Sequence, residues 1–141
     1  MRLMNKPLET VLGLDVGAKR TGVARVHLQA KLPEPLGVIA MERDYIAQLQ
    51  EYIDEHDPDA LVIGLPLNML SEDTSQTKFT RGIVKEIKSA ISLPIFLIDE
   101  VGSSKEADAR QQTGVARDAT AAAVLLEDFT AANERGEVQR V

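Results

Sequence analysis

Four carboxylates stand at the borders of apolar segments in this sequence. Asp15 follows Val11-Leu12-Gly13-Leu14, the pair Asp99-Glu100 follows Ile95-Phe96-Leu97-Ile98, and Asp118 stands just ahead of the run Ala121–Leu126. Acids drawn from separate chain segments have a clear chemical use when they converge. An oxygen-rich, thiol-free donor set suits hard cations such as Mg²⁺ or Mn²⁺. Two such ions about 3.5–4 Å apart activate water and stabilise the leaving oxygen of a phosphodiester. Each acid has a structural use as well. Asp118 serves equally as the N-cap of the helix it precedes, worth about 1 kcal/mol, and Asp99 as an acceptor for turn amides after its strand. Asp15 is harder to explain by structure alone. It ends an apolar strand and leads into a turn carrying Gly17, Lys19 and Arg20, and burying it without a cation or donors costs several kcal/mol.

The two histidines, His27 and His56, have no ligand-pair spacing and are expected at the surface. The acidic run Glu51, Asp54, Glu55, Asp57, Asp59 lacks the alternating donors and glycine of a calcium loop and reads as a solvated helix end. With no cysteine in 141 residues, disulfide scaffolds, zinc fingers, iron–sulfur centres and thiol nucleophiles are excluded. Lys plus Arg number 16 and Asp plus Glu 22, a net charge of −6 that argues against indiscriminate coating of nucleic acid. A local basic face is compatible with that total. Lys78, Arg81, Lys85 and Lys88 recur at helical spacing with only Glu86 among them, and phosphates feel charge within a Debye length of about 8–10 Å.

The elements that must position these groups follow from periodicity. Residues 10–15, 21–26 and 36–40 read as strands, the first two joined as an antiparallel hairpin, with Pro33 and Pro35 as breakers before the third. A helix over 43–56 ends at Asp57-Pro58-Asp59, and the apolar run 60–65 reads as a strand covered on both faces. Residues 68–77 form a polar loop. A helix to Ile91 follows, with Phe79, Ile83 and Ile87 inward, then a strand at 95–98. Residues 103–112 read as a short helix or ordered loop. The last helix spans about 118–135 with Ala122, Leu125, Leu126 and Phe129 buried. The order β-β-β-α-β-α-β-α predicts one α/β domain over 1–141, with short flexible tails at about 1–8 and 136–141. Its mixed five-stranded sheet would hold three antiparallel strands and then parallel additions, flanked by helices. No apolar run approaches the roughly 20 residues of a membrane span and the first residues lack signal-peptide features, so a cytoplasmic chain without membrane partners is expected.

Four segments, in order, resemble the YqgF/RuvX family, small proteins with an RNase H-like fold. They are Leu14-Asp15-Val16-Gly17-Ala18-Lys19-Arg20-Thr21-Gly22-Val23-Ala24, Val62-Ile63-Gly64-Leu65-Pro66-Leu67-Asn68-Met69, Asp99-Glu100-Val101-Gly102-Ser103-Ser104 and Asp118-Ala119-Thr120-Ala121-Ala122 with the apolar residues after it. Any one is weak; the ordered set is specific.

By that resemblance the catalytic and metal-binding acids are Asp15, Glu100 and Asp118, and the cofactor is Mg²⁺, with Mn²⁺ able to substitute. If the fifth strand lies two places from the first, their Cα atoms are about 10 Å apart, and Glu on the outer strand reaches a shared metal better than Asp. The implied activity is a nuclease maturing the 5′ end of precursor 16S rRNA, as a monomer or homodimer. The other readings are a Holliday-junction resolvase acting on branched DNA and a catalytically inactive binding module. The nucleic-acid contacts that go with these readings are Lys19, Arg20, Asn68, Lys78, Arg81, Lys85, Ser103 and Ser104. Val101 departs from the family, which usually has arginine there to grip phosphate or hold a carboxylate; no metal ligand is lost by it. The first segment also resembles the phosphate turn of sugar kinases and actin-like ATPases. Those folds need a second related domain, which 141 residues cannot supply.

Overall fold

The computed structural model describes residues 7–101 and 114–141; Ser103, Ser104 and the rest of the expected short helix or loop at 103–112 lie outside the described residues. Strands β1 (Thr10–Asp15), β2 (Arg20–His27) and β3 (Glu34–Ala40) form an antiparallel meander. Helix α1 (Tyr45–His56) leads to β4 (Ala60–Leu67), and helix α2 (Ser75–Ala90) leads to β5 (Ile95–Val101). The last helix, α3 (Gly114–Glu134), is followed by a short strand, β6 (Gln139–Arg140). The sheet order is β3-β2-β1-β4-β5-β6, with β4 parallel to both β1 and β5.

The sheet has six strands where the sequence predicts five. The extra one arises in the segment 136–141, expected as a flexible tail: Gln139 and Arg140 pair antiparallel with Leu97 and Phe96. Two polar residues carry no hydropathic signature of a strand. Their pairing comes from the open edge of β5, which offers unpaired amides and carbonyls to a nearby segment. Pro35, expected as a breaker, lies inside β3. It is tolerated there because β3 is an edge strand and its register with β2 shifts near Val23 and Ala24.

Two apolar clusters make the core, one on each face of the sheet. Leu12, Leu14, Leu61, Ile63 and Ile95 pack against Leu49 of α1 and Ile83, Val84 and Ile87 of α2. On the opposite face, Val11, Ala24, Val62 and Ile98 pack against Ala122, Leu125, Leu126 and Phe129 of α3. The chain is therefore an α/β/α sandwich, and β1 and β4 read as unbroken apolar runs because both of their faces are covered.

The caps explain where the helices begin. Asp44 caps α1 by accepting from the Ala47 amide, and Thr74 and Thr77 form a reciprocal capping box that starts α2. Thr77 also donates to the Pro66 carbonyl, tying the helix start to the end of β4. The inward face of α2 is Thr77, Thr80, Ile83, Val84 and Ile87, while Phe79, expected inward, is 39% exposed. Two buried threonines are invisible to a hydropathy pattern, and they rotate the true face away from Phe79. His56 also departs from expectation. Its side chain is only 11% exposed, stacked on Tyr52 and bonded through Nδ1 to Arg25 at 2.9 Å.

Candidate active site

Alternation along the strands decides which acids can meet. Residues two apart on a strand share a face. On β1, Val11 belongs to the cluster under α3, and a Cβ at Gly13 would press into the Leu126 side chain of α3. Asp15 continues that series on the α3 face. On β5, Phe96 and Ile98 also pack on the α3 side, so Glu100 follows them. Its Cγ is 3.2 Å from where a Cβ on Gly64 would stand, and Leu125 of α3 is 3.1 Å from the same point. Glu100 thus leans over Gly64 of β4, the strand that separates β5 from β1, in space that a side chain at position 64 would fill. The second acid of the pair, Asp99, is exposed and shares the opposite face with Ile95 and Leu97, within electrostatic reach of Arg81 on α2. Strand order puts β5 two places from β1, as the expected reach of Glu100 requires.

Asp118 comes to the same edge from above. It is not an N-cap, because the chain is already helical at Gly114, four residues earlier. The seat for α3 is Gly22, the strand partner of Asp15. A Cβ on Gly22 would lie 1.8 Å from the Asp118 carbonyl oxygen, so only glycine lets the helix backbone rest there. The Asp118 carboxylate is held by Arg20, whose Nε donates to Oδ2 at 2.6 Å, and Arg117 Nε stands 3.7 Å from Oδ1. Asp15 and Glu100 are half-buried, and Oε1 of Glu100 is sequestered from solvent.

Among the described residues, no three acidic or imidazole side chains gather round a single point as metal ligands. The fit to a cation rests on donor chemistry and shared placement: carboxylate oxygens only, on one face, at the carboxyl edge of the sheet. That set suits a hard divalent ion and no soft one.

Helix α3 packs mainly over β1, β2 and β3 and barely reaches β5. A cleft of about 510 Å³ therefore opens beside Glu100, lined also by Ile98, Asp128, Ala132, Arg135 and Gln139. Asp99 also borders it, whereas Asp15 and Asp118 do not line it.

The expected nucleic-acid contacts divide into groups. Lys19 is exposed on the turn after Asp15, and its carbonyl accepts from the Met41 amide. Asn68 organises its own loop: its Oδ1 accepts from the Leu70 and Glu72 amides, both at 2.9 Å, which leaves its amide group bonded to Glu72. That bonding makes Asn68 a builder of the loop that leaves β4. Lys78, Arg81 and Lys85 stand on α2, in the layer opposite the three acids. Arg81 forms a two-pronged pair with Asp73, at 2.9 and 3.1 Å. The hydrogen bonds from Arg81 hold the Asp73 carboxyl below the usual carboxylate range. The pair is thus intact at neutral pH, and its contribution is lost only as pH falls through that depressed value.

Sequence reasoning missed two positioning features, the Arg20–Asp118 pair and the seat at Gly22. Glycine inside an otherwise apolar strand is the available signal for the second, since it marks a close backbone approach.

An α/β/α sandwich with this strand order and acids at the carboxyl edge defines the RNase H-like class. Thermus thermophilus RuvC in complex with a Holliday junction substrate shares the fold, with a TM-score of 0.60 over 94% of this chain and 99% of that one at 14% identity. The chain belongs to the RuvX family, described as Holliday junction resolvase, whose pattern matches residues 9–132. Among its relatives, a protein of Albidiferax ferrireducens named "Putative pre-16S rRNA nuclease" is 34% identical over 123 residues, 86% of this chain and 78% of that protein. One of the same name from Orientia tsutsugamushi is 33% identical over 126 residues, covering 83% and 80%. No helix among the described residues is long and apolar enough to cross a membrane.

Proposed function

We propose that this chain is a divalent-metal-dependent nuclease that hydrolyses phosphodiester bonds in the 5′-end maturation of precursor 16S rRNA. The observation that carries the reading is the common face of Asp15 and Glu100, with Asp118 seated over Gly22 beside them. The names of the RuvX relatives supply the substrate. Asp15, Glu100 and Asp118 would hold the cation, Mg²⁺ with Mn²⁺ able to substitute. When bound, the ion supplies Lewis-acid stabilisation of the charge that develops during phosphodiester hydrolysis. The protein's own part is to hold three carboxylates on rigid elements and to keep a cleft open beside Glu100. The exposed Lys19 offers a positive charge to a phosphate near Asp15. A cytoplasmic setting, and action as a monomer or homodimer, go with this reading.

A resolvase acting on four-way DNA junctions is the second reading, favoured by the family description and the fold shared with RuvC. One panel separates them: RNA carrying the 16S precursor 5′ end, duplex DNA and a four-way junction, each incubated with Mn²⁺ and with EDTA. Metal-dependent cleavage of the RNA alone is the expected result. Preference for the junction would transfer the assignment to DNA, and binding without cleavage would identify an inactive module.

The basic stripe on α2 carries a separate expectation. Replacing Lys78, Arg81 and Lys85 with Gln should weaken RNA binding across sequences. It should also flatten the dependence of log affinity on log salt by about 0.7–0.9 for each phosphate that is no longer neutralised. Arg81 contributes least, because Asp73 already engages it. An unchanged slope would mean that the stripe, in the layer away from the acids, does not touch substrate.

A further inference from the structure

We propose that Arg20 is a positioning residue that latches Asp118 and competes with the divalent cation for its carboxylate. The inference rests on the metal-dependent reading above and adds a control step to it.

The latch is built by the packing that seats α3. Gly22 lies under the Asp118 backbone, and Arg20, two residues away on β2, shares its face. Residues 98 apart in sequence are thereby brought to a 2.6 Å contact between Nε and Oδ2. The Asp118 side chain is 18% exposed and that of Arg20 38%. A partly buried, charge-assisted bond of this kind is stronger than a solvent-exposed pair. Arg117 faces the other oxygen, Oδ1, at 3.7 Å. Two guanidinium groups therefore meet one carboxylate.

A carboxylate drawn to Arg20 must leave it to coordinate a cation fully, and a guanidinium held at that distance repels the incoming ion. Arg20 can part from Asp118 at low cost only if another anion takes the aspartate's place. A substrate phosphate is that anion, because the guanidinium fork matches phosphate as well as carboxylate. Lys19 is its exposed neighbour on the turn that precedes β2. Substrate phosphate and metal then support each other's binding: the phosphate draws Arg20 away, and the freed Asp118 completes the ligand set. Such coupling is reciprocal and falls in a range of about 5–150-fold.

The test is calorimetric titration of Mn²⁺ into the full chain, wild type against Arg20→Gln and Arg20→Lys, with thermal unfolding recorded in EDTA. Arg20→Gln is expected to bind Mn²⁺ about fivefold or more tightly than wild type, although it melts at a lower temperature in EDTA. Arg20→Lys, which keeps the charge but not the fork, should fall between the two and covers the case of a poorly folded glutamine variant. General damage to the site would weaken Mn²⁺ binding, so a rise in affinity is specific to the latch. Equal or weaker binding by both variants overturns the latch while leaving the nuclease reading intact. Failure of every protein, wild type included, to bind Mn²⁺ even with precursor RNA present overturns the latch and the metal-dependent reading together.

Discussion

Asp15→Asn is expected to lower cleavage by more than about 100-fold, equivalent to about 2.7 kcal/mol of transition-state stabilisation, while the protein stays folded. The substitution keeps the shape of a half-buried side chain at the end of β1. What it removes is the negative charge that a hard cation requires of its ligands. The surrounding β1 residues, Val11 to Leu14, are fully buried and unaffected, so the core gives no reason for the fold to fail. Single-turnover cleavage beside a thermal melt checks both halves of this statement. Near wild-type cleavage by Asp15→Asn would move the chemistry away from β1.

The largest structural effect is expected at Gly22. An alanine there would set its Cβ 1.8 Å from the Asp118 carbonyl oxygen and 2.4 Å from the carbonyl carbon. Both are backbone atoms of α3, so no side chain can turn aside; the helix itself must lift. Overpacking of cores costs about 1–3 kcal/mol and occasionally more, and a backbone collision belongs at the upper end. A fall in Tm of about 5–15 °C should follow, with activity lost as Asp118 moves off the edge. Gly82→Ala on α2 is the natural control, because nothing lies within 4 Å of a Cβ there. It should match or exceed wild-type stability, since alanine outperforms glycine within a helix by about 1 kcal/mol. A Gly22→Ala protein that melts like wild type would show that α3 does not rest on β2 at this point.

Much of this architecture is legible in the sequence, and the exceptions have physical causes. The unbroken apolar runs of β1 and β4 announce strands covered on both faces, and α1 with α2 on one side and α3 on the other provide that cover. The alternation that separates Asp99 from Glu100 is also present in the sequence, but it becomes decisive only when Phe96 and Ile98 are known to face α3. Asp118 reads equally well as an N-cap because nothing in Gly114-Val115-Ala116-Arg117 announces a helix start. The strand β6 has no apolar pattern at all and exists by pairing with the β5 edge. The α2 stripe lies on a helix, as its spacing predicts. Its place in the layer opposite the acids, and the Asp73–Arg81 pair that balances one of its charges, are tertiary facts that periodicity does not carry.

The central claim is that function resides on the α3 face of the sheet edge, and the adjacent acids of β5 test it most directly. Single-turnover cleavage of the precursor RNA in saturating Mn²⁺ should be measured for Glu100→Gln and Asp99→Asn side by side. The account predicts that Glu100→Gln loses more than about 100-fold, like Asp15→Asn, whereas Asp99→Asn stays within about twofold of wild type, as exposed substitutions commonly do. Collapse of Asp99→Asn with survival of Glu100→Gln would put the chemistry on the opposite face and contradict it.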